Sequence, residues 1–291
     1  MKPSPFTYHR PTSIETTVAL LAQFDDTKIL AGGQSLMPMM NYRYVAPEHI
    51  IDINRVSELS GVKISGDTIR IGAMTRQREL KEHPALAALC PLINSALEWV
   101  GHIATRNRGT VGGSLSHLDP AAELPAVFTA LDATLEVQSL RGTRQIPMLR
   151  WAQGYMTPDL EEDELLCAIS FTSPARGHGY GFHEFARRHG DFALAAAAAC
   201  IELDSSGLVQ KVAIALAGVD MVPVRLSAAE QSLVGQAPEL DLINAAAACA
   251  SAVAGLEDVH ASASYRQRIA VVMTRRAITD AVARANQEQV A

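Results

Sequence analysis

Hydrophobic positions along this chain switch between a helical period of about 3.6 residues and a strand period of two, and the switches delimit its elements. Leu86, Leu89, Ile93 and Leu97 recur on one helical face, which predicts a single helix over residues 84–100. Residues 134–139 alternate instead, as a half-buried strand does. Val62 and Ile64 before Ser65-Gly66-Asp67, with Ile69 and Ile71 after it, predict a hairpin. Residues 28–31, 49–53 and 164–171 read as further short strands. Thr12-Ser13-Ile14-Glu15 has capping-box spacing with Thr12 at the cap, so a helix should follow to about Leu21. Thr75 is a second expected cap, for a short helix ending near Lys81.

The pattern changes after Thr172-Ser173-Pro174-Ala175-Arg176-Gly177-His178-Gly179, which reads as a linker. Beyond it come strands over 182–186, 195–203 and 209–217, the last two joined through Asp204-Ser205-Ser206-Gly207. Helices over 241–255 and 262–286 follow. Strands followed by helices indicate an α+β arrangement rather than a doubly wound one. A length of 291 residues suits about two domains. The expected division is 1–176, in lobes of about 1–55 and 56–176, and then 177–291. No internal repeat is visible.

Composition narrows the functions. With 48% apolar and 19% charged residues the chain is an ordinary globular one and not a disordered one. Its 25 basic against 31 acidic side chains give a net charge of −6, which argues against nucleic-acid binding, a process driven by phosphate neutralisation. The longest apolar run, 192–201, is half the roughly twenty residues a membrane span needs. The first ten residues carry no apolar signal core, so a cytoplasmic location is expected. Cys90, Cys167, Cys200 and Cys249 share no metal-ligand spacing, which points to separate thiols and to neither zinc nor an iron–sulfur cluster. His183-Glu184 begins like a zincin motif, but Arg187 stands where the second histidine would be.

Two glycine-rich segments carry the candidate chemistry. One is Leu30-Ala31-Gly32-Gly33-Gln34-Ser35-Leu36-Met37, the other Thr110-Val111-Gly112-Gly113-Ser114. Read as loops, paired glycines let the backbone turn and approach a ligand, and successive N–H groups there form an anion-binding nest. Two such loops can hold the two phosphates of a dinucleotide from opposite sides. Neither is a G-x-G-x-x-G or a G-K-[ST] fingerprint, so the Rossmann and P-loop readings lose support. The competing reading of Ser35, Thr110 and Ser114 is turn capping.

The first segment, continued to Pro38, resembles the first FAD loop of the flavin-binding medium subunits of molybdenum hydroxylases, which include the carbon monoxide, xanthine and nicotine dehydrogenases. Arg106-Asn107-Arg108-Gly109-Thr110-Val111-Gly112-Gly113-Ser114, followed by His117-Leu118-Asp119-Pro120-Ala121-Ala122-Glu123, is similar to the same family's second block. Glu164-Leu165-Leu166, Phe185 through Ala193, and Tyr265-Arg266-Gln267-Arg268 leading to Arg275-Arg276-Ala277 extend the resemblance over nearly the whole chain. The resemblance implies a vanillyl-alcohol-oxidase-type FAD domain of two α/β lobes, with a C-terminal antiparallel sheet and helices. It implies non-covalent FAD and partners in a molybdenum-cofactor large subunit and a [2Fe-2S] small subunit, as a dimer of heterotrimers. Electrons would arrive from the iron–sulfur partner and leave to a quinone, NAD or O2.

By the same resemblance, Leu30 to Met37 and Thr110 to Ser114 wrap the pyrophosphate and ribityl. His117 lies where the family puts a polar residue on the phosphates, and Glu123 where an acid meets the adenosine ribose. Glu123 reads equally as a helix N-terminal acid. The backbone of Leu166 corresponds to a flavin contact, although Leu165 and Leu166 also read as strand core. Glu184 departs from the relatives that carry Lys near the flavin's pyrimidine edge, with Arg187 and Arg188 as nearby cations, and its presence weakens the case for NAD. Phe192 is a candidate to stack on the isoalloxazine, or else a core aromatic. The competing function is a self-contained flavin oxidase or dehydrogenase of the same fold. That enzyme needs its own base near flavin N5 and often a tethering His or Cys, and no motif for either is readable.

Overall fold

In the computed structural model residues 1–290 are described, with side chains as far as Gln287. The first lobe is a three-stranded parallel sheet. Strand β1 (Thr7–His9) leads through α1 (Ile14–Gln23) to β2 (Thr27–Leu30), then through α2 (Leu36–Asn41) to β3 (His49–Asp52), in the order β1-β3-β2. Ser13 caps α1, accepting from the Thr16 N–H at 3.1 Å, one residue later than the expected Thr12.

The second lobe opens with the hairpin β4 (Val62–Ser65) and β5 (Thr68–Gly72). A run of short helices follows: α3 (Gln77–Lys81), α4 (Pro84–Leu89), α5 (Pro91–Leu97), α6 (Ile103–Arg108), α7 (Val111–His117) and α8 (Glu123–Ala130). Then come β6 (Thr134–Ser139), β7 (Gly142–Pro147), α9 (Met148–Trp151), the small pair β8 (Ala152–Gly154) and β9 (Thr157–Pro158), and β10 (Leu165–Thr172). Its main sheet runs β4-β5-β10-β6-β7, antiparallel throughout. The single helix expected over 84–100 is two, because Pro91 has no N–H for the ladder and opens a new helix at its own first position. Thr75 caps nothing: buried, it bonds both the N–H and the carbonyl of Gly61, and α3 begins at Gln77.

The C-terminal unit is an antiparallel sheet of β11 (Gly179–Phe185), β12 (Ala195–Leu203), β13 (Val209–Ala217) and β14 (Val224–Arg225), followed by α10 (Ser227–Leu233), α11 (Leu240–Ala248) and the long α12 (Ala263–Val290). The polyalanine strand β12 is covered on both faces, and its alternation sorts them. Ala196, Ala198 and Cys200 join the core of the second lobe, whereas Ala195, Ala197, Ala199 and Ile201 join the core beneath α11 and α12. Small side chains let layers approach closely from both sides, and a Cβ on Gly179 or Gly181 would strike the backbone of α12 at Ala281 or Ala277. Arg225 fastens the sheet to the second lobe, donating to Asp132 at 2.5 Å and to the Thr129 carbonyl at 3.1 Å. The four cysteines are free thiols, three of them buried. No described helix is long and apolar enough to cross a membrane.

Candidate functional site

The first glycine segment is the turn from β2 into α2. Gly33 has φ +72°, a conformation that side chains resist, and an added Cβ there would lie 3.1 Å from Leu30 and 3.2 Å from Met37. Gly33 closes the turn by accepting the Met37 N–H at 3.2 Å. The N–H groups of Gly32, Gly33, Gln34 and Ser35 meet no acceptor among the described residues. All four residues are at least partly exposed. Four successive open donors are what a nest offers to an anion.

The second segment is built differently from the expected loop. It follows α6, and Val111, Gly112 and Gly113 form the first turn of α7. From Val111 onward its amides are spent inside the chain: Val111 donates to the Thr75 carbonyl at 3.1 Å, Gly112 to the Ala73 carbonyl at 2.7 Å, and Ser114 to the Thr110 carbonyl at 3.1 Å. The Gly113 N–H bonds the capping Thr110 hydroxyl at 3.0 Å. The expectation that both segments expose backbone donors therefore holds for the first; in the second only the Thr110 N–H meets no acceptor among the described residues, and Thr110 is 2% exposed. Helical spacing instead places Thr110, Gly113, Ser114 and His117 on one side of α7, the last three half-exposed, while Val111, Gly112 and Leu115 are buried. Gly112 is needed for proximity, since a Cβ there would stand 2.6 Å from the Ala73 Cβ.

The two segments touch. Gly32 lies against the Arg108 carbonyl, 3.0 Å separates its would-be Cβ from Gly109 Cα, and Ala31 lies 3.8 Å from where a Gly113 Cβ would stand. Open amides on one side and hydroxyls on the other form a donor set suited to a diphosphate. Asn54 and Arg76, which no sequence motif marks, lie at this junction.

The chain between α7 and α8 carries the remaining polar candidates. His117 ends α7, and Leu118 follows it in a left-handed turn at φ +51°. Burial holds the His117 imidazole below its ordinary pKa, against the opposing pull of Asp119, so it is a neutral hydrogen-bonding group near pH 7. Glu123 opens α8 and is half-buried; desolvation is the main force pushing its carboxyl up, and Asp119 adds to it. Glu184, on β11, is 6% exposed, and neither carboxyl oxygen has a partner among the described residues. Burial first, and then the nearby Glu123, push its carboxyl well above the usual range. It is accordingly a neutral acid near pH 7, on the same strand face as Phe182, which packs into the second-lobe core. Arg188 is engaged with Asp191 at 3.2 Å.

Leu166 is core, 4% exposed, so only its backbone is left for a ligand. Phe192 is 76% exposed and so is not the core aromatic of the competing reading. It borders a cavity of about 210 Å³ together with Asp119, Tyr155, Arg187 and Asp258. The structure thus brings the two glycine segments into one site, sets Glu123 near enough to Glu184 for their charges to interact, and lines one cavity with Phe192 and Asp119.

Comparison with known proteins gives the site its context. The family described as the FAD binding domain in molybdopterin dehydrogenase matches residues 4–173, and the CO dehydrogenase flavoprotein C-terminal domain matches 180–281. The 6-hydroxypseudooxynicotine dehydrogenase complex subunit alpha of Paenarthrobacter nicotinovorans is 39% identical over 98% of this chain and 97% of its own. The caffeine dehydrogenase subunit beta of a Pseudomonas species is likewise 39% identical, over 98% and 97%. Among solved structures, a carbon monoxide dehydrogenase chain from Hydrogenophaga pseudoflava superposes with a TM-score of 0.95 at 38% identity, covering 98% of this chain and 99% of that one.

Proposed function

We propose that this chain, which belongs to the FAD-binding subunits of molybdopterin dehydrogenases, is the flavin relay of a molybdenum hydroxylase complex. It carries non-covalent FAD and is the flavoprotein component of an oxidoreductase. It takes electrons from a [2Fe-2S] small subunit, beside a molybdenum-cofactor large subunit, and passes them to an external acceptor. Bound FAD supplies a centre that accepts electrons singly and releases them in pairs. We place the division of the chain at 1–176 and 177–291, and its location in the cytoplasm.

The residues act by binding and orienting. The observation that carries the reading is the run of open amides from Gly32 to Ser35 beside the polar side of α7. Those amides take one side of the diphosphate; Thr110, Ser114 and the neutral His117 take the other. Glu123 receives the ribose hydroxyls. Leu166 offers backbone, and Phe192 offers a ring face. Glu184, held neutral, can donate a hydrogen bond towards the flavin where a cation is lacking.

The test is anaerobic. The chain alone, loaded with FAD, is mixed with purines, aldehydes and N-heterocycles. The absorbance near 450 nm, a wavelength set by oxidised flavin itself, should persist until the partner subunits are added. Bleaching by an organic substrate with this chain alone would make it a self-contained dehydrogenase.

A further inference from the structure

Arg76 stands where the two glycine segments meet, and it holds both. Its backbone forms an isolated antiparallel bridge with Thr110. That bridge is flanked by the Gln77 N–H on the Gly109 carbonyl at 2.9 Å and the Val111 N–H on the Thr75 carbonyl at 3.1 Å. Its guanidinium reaches the other way. One Nη donates to the Arg108 carbonyl, and the other to Asn54 Oδ1 at 2.6 Å. The Asn54 amide in turn donates to the Ala31 carbonyl at 2.9 Å and to Asp52 at 2.5 Å, and Asp52 accepts from the Tyr8 hydroxyl. One unbroken path of hydrogen bonds therefore runs from Ala31 in the first segment, through Asn54 and Arg76, to Arg108 beside the second.

We propose that Arg76 is a positioning residue that sets the spacing of the two FAD-binding segments, acting on the first through Asn54. The inference rests on the reading that residues 30–37 and 110–114 hold the diphosphate. A diphosphate has a fixed span, so donors on its two sides must be held at a fixed separation to engage it together. Arginine suits the task because its planar fork points two donors at two acceptors at once, whereas a lysine ammonium is a single point. The charges around it are Arg108, Glu79 and Asp52. Glu79 also accepts the Arg76 backbone N–H at 3.1 Å, which anchors the residue at the head of α3.

The test uses the full chain, freed of flavin and titrated with FAD by fluorescence, with thermal unfolding of the apo form measured beside it. Arg76→Ala and Asn54→Ala should each weaken FAD binding by about ten- to a hundred-fold, the range for a charge-assisted hydrogen bond lost. The double variant should be no weaker than Arg76→Ala alone, because both break one path. Arg76→Lys should restore less than half of the loss on a logarithmic scale. The same bonds hold without flavin, so the apo melting temperature should fall by up to about 12 °C, and the titrations are run well below it. Should Arg76→Ala fail to fold, Asn54→Ala and Arg76→Lys carry the same readings. Gly33→Val is the control for the underlying assumption. If it loses FAD while Arg76→Ala and Asn54→Ala bind normally, or if their losses add, Arg76 does not set the spacing. If Gly33→Val itself binds FAD normally, the assignment of the segments fails instead.

Discussion

At Gly32-Gly33 the backbone amides are left without acceptors, whereas at Gly112-Gly113 both are bonded within the chain. Both pairs allow close approach, Gly32 to the Arg108 carbonyl and Gly112 to Ala73, but only the first also leaves its donors open. Gly33 supplies a left-handed turn that opens four N–H groups outward. Gly112 lets the first turn of α7 sit on the end of β5 at Ala73, which carries the side of Thr110, Gly113 and Ser114 up to the first segment. A glycine pair thus says that a Cβ is excluded; the neighbours decide whether that serves a ligand or the fold.

This contrast orders the effects of substitution. Gly112→Val should be the most damaging, because the added branches enter packed backbone in the core, at about 1–3 kcal/mol for such overpacking. Urea unfolding of the apo chain should show the loss, and FAD retention should fall with it. An unchanged midpoint would mean that proximity at Ala73 is not what Gly112 provides. Gly33→Val should show the opposite balance. The left-handed conformation costs a β-branched residue about 1–2 kcal/mol, but the turn is at the surface, and flavin occupancy should drop further than stability. Equal damage in the two variants would erase the distinction between the segments.

Unsatisfied polar groups can also be buried, and Glu184 shows the consequence. Its carboxyl is raised in the folded chain relative to the unfolded one. The folded state therefore holds a proton that the unfolded state releases. Any stability associated with that proton is complete below the ordinary glutamate range and is lost as pH rises from there towards the raised folded value. Glu184→Gln removes the titration. Its melting temperature should exceed that of the natural chain by at least about 3 °C at pH 8, on a scale of 2–4 °C per kcal/mol, with the gap closing towards pH 5. A gap that widens on acidification would reverse the assignment. Thr110→Val should cost least, about 1 kcal/mol for a lost helix cap, read as a small shift in urea midpoint.

Much of this was legible in the sequence, for reasons that differ by element. The strand 134–139 and the hairpin about Ser65-Gly66-Asp67 announced themselves because alternation and a turn dipeptide act locally. The candidate residues were marked by family motifs, and the chain does gather the two glycine segments. The local geometry of the second was not readable, because Thr110 to Ser114 satisfies a turn and a helix start equally well until Ala73 is placed against it. Helix boundaries failed where one residue decides, at Pro91 and at Ser13. Asn54 and Arg76 were invisible, since they are 22 positions apart and meet only when the lobes do. The neutrality of Glu184 likewise depends on burial that its strand neighbours alone do not reveal.

On the proposed reading the first segment lends its amides to the diphosphate while the second lends closeness and hydroxyls. Residue-resolved amide hydrogen exchange, with and without saturating FAD, reads this directly. The amides of Gly32 to Ser35 should exchange rapidly in the apo chain and slow strongly once FAD is bound, while those of Gly112 and Gly113 should be slow in both states. Full FAD occupancy with no protection at Gly32 to Ser35 would contradict the account.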